Sequence, residues 1–291
     1  MTRSLVVEFT KMHGAGNDFI VVDNRFFHFS DEELSTMAAT WCPRRTGIGA
    51  DGLLALAPPQ DAAHDYRMRY FNADGSRARM CGNGARCLAR FAYEAGVDNE
   101  VLTFESDAGR YRADVSSPPG DAVRLHVPPP RDFASGPARE EDGSAVDGPV
   151  HYVWTGTEHA VCFVEDIDEV AVETVGPAIR HDPRWAPEGA NANFVQVVKR
   201  TDREPARLRV RTYEKGVEAE TQACGTGALA AAVVARLLDR VAGRVVPVAM
   251  PGGTLRVGLD VANGTVSGLY LEGPAVKVFR GTIDAEPHML G

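Results

Sequence analysis

Residues 81–86 read Cys-Gly-Asn-Gly-Ala-Arg, and residues 224–229 read Cys-Gly-Thr-Gly-Ala-Leu. The second block follows the first after 143 positions (81 to 224), about half of the 291 residues. Each opens a segment with helical spacing. Gly82–Ala95 carries Leu88, Phe91 and Ala92 on one side, and Gly225–Leu238 is apolar nearly all round. Upstream of each lies a strand-like run with a polar residue, Asn72 nine positions before Cys81 and Glu214 ten before Cys224. Farther upstream, the block beginning at Gly16 (GNDFIVVD) matches the one beginning at Gly156 (GTEHAVCFVED) at an offset of 140. One recurrence of Cys-Gly-x-Gly arises easily by chance. Several blocks in register imply two similar halves facing each other across a pseudo-two-fold axis, so that equivalent residues converge on one cleft.

Around these blocks the chain is rich in short β-branched or alternating runs, among them Leu5–Phe9, Phe19–Val22, Tyr66–Phe71, Phe194–Val198 and Leu208–Thr212. Gly, Pro, Asn and Asp separate them, which marks a strand-rich fold. Two further helices are predicted. One covers Asp31–Thr40, with Ser30 as N-cap and Glu33 three residues on, and the other runs from Ile167 to Ile179. The Pro-, Gly- and charge-rich stretch between Ser116 and Val150 holds the domain boundary, with the crossover near Pro128–Pro130. The expected domains are 1–128 plus 276–291, and 129–275.

Composition narrows the function classes. Hydrophobic residues make up 44% and charged residues 24%, the balance of an ordinary folded protein. The net charge of −9 leaves no basic stripe for a phosphate backbone, so no nucleic-acid partner is expected. The apolar run Ala228–Leu238 is too short for a bilayer, and the first residues are too short for a secretion signal, so the expectation is a cytoplasmic protein without membrane contact. Five cysteines at 42, 81, 87, 162 and 224 give neither a disulfide scaffold nor zinc spacing, and no metal is expected. The four lysines (11, 199, 215 and 277) sit beside no phosphate-cup sequence, and no phosphate loop is present, so no cofactor is expected.

A cysteine at the start of a helix meets unpaired backbone N–H groups and the positive end of the helix dipole, which favour its thiolate. Two equivalent thiols on opposite sides of a cleft suit one reaction above others. One removes a proton from a carbon, the other delivers a proton to the opposite face, and the centre inverts. The glycines at 82, 84, 225 and 227 let a carboxylate approach the same amides. Cys42, Cys87 and Cys162 are read as structural.

The blocks Lys11–Asp23, Gly47–Leu54, Phe71–Arg86 and Tyr213–Ala228 together resemble the diaminopimelate epimerase family. The resemblance implies an enzyme that interconverts LL- and meso-diaminopimelate without pyridoxal phosphate, for lysine and peptidoglycan synthesis, and a homodimer. It implies an α+β fold of two pseudo-symmetric domains, each a strand-rich, barrel-like sheet wrapped around a central helix. It makes Cys81 and Cys224 the catalytic pair, with His159 and Glu214 assisting thiol deprotonation. Substrate contacts are implied at Asn17, Asn72, Gly82, Asn83, Thr157, Asn191, Glu214, Lys215, Gly225 and Thr226. His159 is set in register with Asn17 of the other half. The chain departs from the family at Thr157 and Glu158, where many members read Asn-Pro, at Lys215 in place of arginine, and at Gly52 in place of glutamine. A proline or hydroxyproline racemase, the nearest alternative, usually carries histidine where this chain has Asn83.

Overall fold

The computed structural model describes residues 5–116, 120–136, 148–198 and 206–290. The chain divides into two compact units, Met1–His126 with Gly273–Gly291, and Val127–Glu272. Much of the stretch between Ser116 and Val150 lies outside the described residues.

The first unit begins with β1 (Leu5–Gly14), β2 (Asn17–Asp23), the single turn α1 (Asn24–Phe27) and α2 (Asp31–Trp41). It continues through β3 (Gly52–Ala57), β4 (Tyr66–Asn72), the two-residue β5 (Arg77–Ala78) and α3 (Gly82–Glu94). A meander of β6 (Val101–Ser106), β7 (Gly109–Asp114) and β8 (Ala122–Val127) follows. The second unit repeats the plan with β9 (Arg131–Ala134), β10 (Val150–Trp154), β11 (Glu158–Phe163), α4 (Val172–Arg180), β12 (Asn191–Val198) and β13 (Arg207–Glu214). Then come β14 (Ala219–Thr221), α5 (Gly225–Leu237), β15 (Val245–Met250), β16 (Gly253–Ala262) and β17 (Thr265–Pro274). The chain closes with β18 (Val276–Ala285), which pairs antiparallel with β1.

The repeat is visible in the ladders. In the first unit β2 runs parallel to β3 with Phe19 beside Gly52, and β3 runs antiparallel to β4 with Leu53 opposite Phe71 and Gly52 opposite Asn72. In the second, β11 runs parallel to β12 with His159 beside Asn191, and β12 runs antiparallel to β13 with Ala192 opposite Tyr213. The parallel pairs β4–β6 and β13–β15 complete the match. Helices α2 and α4 make the equivalent crossovers. These registers correct one sequence alignment: His159 corresponds to Phe19, and Thr157, two residues earlier, to Asn17.

Local signals explain the helices. Ser30 Oγ accepts from Glu33 N while Glu33 returns a bond to Ser30 N, the reciprocal cap anticipated for α2. Helix α2 buries Leu34, Met37, Ala38 and Trp41 against Val7, Ile20, Leu53 and Phe71. Each of these large side chains contributes roughly 1.5–3 kcal/mol on burial. Helix α4 starts at Val172, five residues later than expected. Asp166 takes Asp168 N with its side chain, and this local turn competes with helix initiation.

Helices α3 and α5 are the central ones. α3 packs on β1, β2, β3 and β4, while α5 contacts β10–β13, β15 and β16. Every residue of α5 from Gly227 to Ala235 is buried, and five alanines among them let the strands approach closely. Strand β3, GLLALA, is buried at all six positions, the mark of a parallel strand covered on both sides. It lacks alternation and was not legible as a strand by period two.

Candidate active site

Cys81 is the N-cap of α3, with extended backbone (φ −140°, ψ 120°), and its Sγ accepts from Gly84 N at 3.5 Å. Cys224 is the N-cap of α5 (φ −120°, ψ 105°), and its Sγ accepts from Gly227 N at 3.4 Å and lies 3.5 Å from Thr226 Oγ1. Both sulfurs therefore sit where a helix N-terminus favours negative charge. Gly82 and Gly225 are the first residues of these helices. Cys224 is buried, and Cys81 is partly exposed.

The other cysteines differ. Burial pushes the Cys42 and Cys87 thiols up to about 12, which makes them poor nucleophiles near neutral pH. Cys162 is buried on β11.

Around Cys81, a directed chain of hydrogen bonds links the first turn of α3 to β2. Buried Arg86 donates from Nη2 to Asn83 Oδ1 (2.8 Å), Asn83 Nδ2 to Asn17 Oδ1 (2.7 Å), and Asn17 Nδ2 to Asp51 Oδ2 (3.0 Å). Since guanidinium is only a donor, it sets the orientation of both amides. Arg44 bridges Asp51 and Asp18, and Lys11 pairs with Asp18 at 2.7 Å. Burial raises Asp18, but Arg44 and Lys11 outweigh it and hold the carboxyl at about 2. Asn72 donates to Ser76 Oγ at 3.0 Å, at the end of β4. A Cβ at Gly52 would lie 2.5 Å from Phe71 O, so this strand pair leaves no space for a side chain there.

Around Cys224, Thr155 Oγ1 donates to Thr226 O at 2.9 Å and ties the first turn of α5 to the end of β10. Asn191 is buried, donating to Glu158 O (3.0 Å) and accepting from Lys215 N (2.8 Å). Lys215 is held at both ends, its backbone N–H by Asn191 and its ammonium by Glu158. Thr157 Oγ1 donates to Glu158 Oε2 at 2.9 Å. Burial pushes Glu158 up, yet the Lys215 hydrogen bond and charge, helped by Thr157, leave it below the usual carboxylate range. Glu214 accepts from Thr221 Oγ1 at 2.8 Å, and burial raises it above the ordinary value.

His159 is fully buried on β11. Burial drives its ring down to about 3, against the opposing pull of Glu158, so it is neutral at physiological pH. Its Nδ1 lies 3.1 Å from Nδ2 of Asn193, which sequence reasoning missed. The signal was present in Asn191-Ala-Asn193, since residues two apart on a strand share a face. Among the described residues, no group of three or more His, Cys, Asp or Glu could hold a metal ion, and no helix is long and apolar enough to cross a membrane.

Two units of one plan, each with strands packed around a central helix, define an α+β fold shared by several solved structures. A phenazine biosynthesis protein of the PhzF family from Bacillus anthracis superposes with a TM-score of 0.73 at 17% identity, covering 96% of this chain and 99% of that one. A hydroxyproline epimerase from Agrobacterium vitis, with bound trans-4-hydroxy-L-proline, gives a TM-score of 0.64 at 17% identity, covering 100% and 96%. At that identity the likeness concerns the fold alone. Sequence carries the assignment further. The diaminopimelate epimerase family matches residues 9–125 and 151–278. Diaminopimelate epimerases of Chlorobaculum tepidum and Methanothrix thermoacetophila are 43% and 42% identical, over 94% and 96% of this chain and 99% and 97% of theirs. That of Aquifex aeolicus is 38% identical over 96% of this chain and 99% of its own. The chain belongs to the diaminopimelate epimerase family and is an isomerase.

Proposed function

We propose that the chain epimerises LL-2,6-diaminopimelate to the meso isomer, in lysine and peptidoglycan biosynthesis, with Cys81 and Cys224 as the two bases acting on one α-carbon. The observation that carries this reading is that both sulfurs cap a central helix in the same way, each accepting the N–H three residues on. In one direction a thiolate takes the α-proton and becomes a thiol. The other thiol gives its proton to the opposite face and becomes a thiolate, so charge and protons balance with no covalent intermediate. The negative charge that develops on the α-carboxylate is met by helix N-terminal amides at Gly82, Asn83, Gly225 and Thr226. Reversal exchanges the two roles.

Asn17, Asn72, Asn83, Asn191, Thr157 and Lys215 supply the polar contacts to the substrate's amino and carboxylate groups, with amides that both donate and accept. Glu214 and His159 assist thiolate formation, as the family resemblance implies. The reaction uses no pyridoxal phosphate. The enzyme works as a homodimer in the cytoplasm, as the family resemblance implies.

Incubation with LL-diaminopimelate in deuterated water tests this reading. The expected outcome is deuterium at the α-carbon and appearance of the meso product. Exchange with proline but not with diaminopimelate overturns it in favour of a proline racemase activity.

A further inference from the structure

The two ring nitrogens of His159 meet different surroundings. Nδ1 is 3.1 Å from Asn193 Nδ2, whereas buried Nε2 has no hydrogen-bond partner among the described residues. The amide of Asn193 is oriented without reference to the histidine. Its nitrogen lies 3.0 Å from Ala160 O and 3.2 Å from Asn191 O, two groups that only accept. Its Oδ1 accepts from Thr212 Oγ1 at 2.9 Å. Turning the amide over would set its oxygen against two carbonyl oxygens, with all four residues buried. The atom that meets the ring is therefore an NH2 nitrogen, which donates and does not accept. A hydrogen on Nδ1 would point at that group's own hydrogens, so Nδ1 carries the lone pair and Nε2 carries the proton.

We propose that Asn193, held in turn by Thr212, is a positioning residue that locks His159 as the Nε2–H tautomer, so that His159 serves the reaction as a hydrogen-bond donor and not as a proton acceptor. The proposal rests on the reading of His159 as part of the active site and specifies how it assists. The lone pair of Nδ1 faces the two Asn193 amide hydrogens, which it shares with Ala160 O and Asn191 O, and Nε2 already holds its hydrogen, so the ring has no free site for a thiol proton. It stabilises a thiolate, or the substrate's developing carbanion charge, by donating from Nε2. The proton removed from the α-carbon stays on sulfur. Two charged groups act on the ring with opposite sign, Glu158 on the same strand and Lys215 just after β13. Neither is hydrogen-bonded to Nε2.

The direct test is two-bond ¹⁵N–¹H correlation spectroscopy of enzyme labelled with ¹⁵N-histidine, with the His159 signals assigned by their loss in His159→Phe. The expected spectrum shows protonated Nε2 and unprotonated Nδ1, unchanged from about pH 5 to 9. Asn193→Asp presents an acceptor to Nδ1. It should reverse the tautomer and lower kcat by about 10²-fold while KM changes less than about threefold. Thr212→Val frees the amide and should give mixed tautomers with a smaller loss, about three- to tenfold in kcat. A wild-type spectrum with Nδ1 protonated, or with an imidazolium at pH 7, overturns the proposal even if both variants fail to fold. Reversal of the tautomer in Asn193→Asp with kcat unchanged also overturns it. Should the wild-type enzyme show the Nε2–H tautomer yet exchange no α-hydrogen of diaminopimelate, the epimerase reading falls and with it the donor role, while the lock itself stands.

Discussion

The ground beneath the first turn of α3 and that beneath α5 share a backbone and little else. In the first unit the positions equivalent to His159, Asn193 and Thr212 are Phe19, Leu54 and Tyr70, and Phe19 meets Tyr70 edge-on with centroids 6.1 Å apart. The polar chain Arg86–Asn83–Asn17–Asp51 of that unit maps onto Leu229, Thr226, Thr157 and Ala190 in the other. Each unit thus keeps one polar network and has replaced the other largely by apolar or small residues. Duplication preserved the ladder registers, because a one-residue slip would turn every side chain of a strand over. Side chains between ladder and helix were free to diverge, because the ladder is made by backbone groups. The two cysteines consequently share geometry and differ in surroundings, so a mechanism in which they alternate roles still has two chemically distinct half-reactions.

The largest expected effect tests what the units share. Cys81→Ala and Cys224→Ala should each lower epimerisation by at least about 10³-fold with circular dichroism unchanged. Near-full activity in either variant would break the equivalence of the two sites.

The next effect tests where they differ. His159 has a folded value of about 3, below the ordinary 6.5. Its contribution to stability is therefore present above pH 6.5 and is lost as pH falls towards 3, by about 3–5 kcal/mol at the acid end. His159→Phe, which installs the first unit's residue, should lose catalytic assistance and flatten the acid limb of stability measured by urea titration between pH 7 and 4. An unchanged acid limb would mean that the histidine is hydrated, and the contrast between the units would weaken.

Glycine at the third helical position sharpens the comparison further. A Cβ at Gly227 would lie 2.5 Å from Asn193 Oδ1, whereas one at Gly84 would lie 3.2 Å from the movable Leu54 Cδ2. Gly227→Ala should cost about 2–3 kcal/mol and Gly84→Ala about 1 kcal/mol or less, read from chemical denaturation midpoints. Equal costs would show that the polar floor yields as readily as the apolar one. Smallest of all, Thr212→Val should destabilise by about 1–2 kcal/mol through the unpartnered Asn193 oxygen.

What is local in this molecule could be read directly. A cysteine before Gly-x-Gly, a Ser–Glu cap and the 143-residue recurrence of one motif each lie within a few residues of chain. The helix N-termini formed as those patterns require, because capping and dipole effects act over a single turn. The family assignment rests on the same blocks. Tertiary structure alone decided the rest. Strand β3 is apolar throughout and could be recognised only by its ladders, parallel with β2 and antiparallel with β4. Asn193 and Thr212 look like ordinary strand residues until the β12–β13 ladder pairs them and brings His159 alongside from β11. The protonation state of that ring depends on exclusion of water and on which end of an amide it meets, and the amide is set by Asn193 and Thr212, 34 and 53 positions away in the chain. Burial and hydrogen-bond direction are properties of assembled neighbours, so no window of sequence contains them.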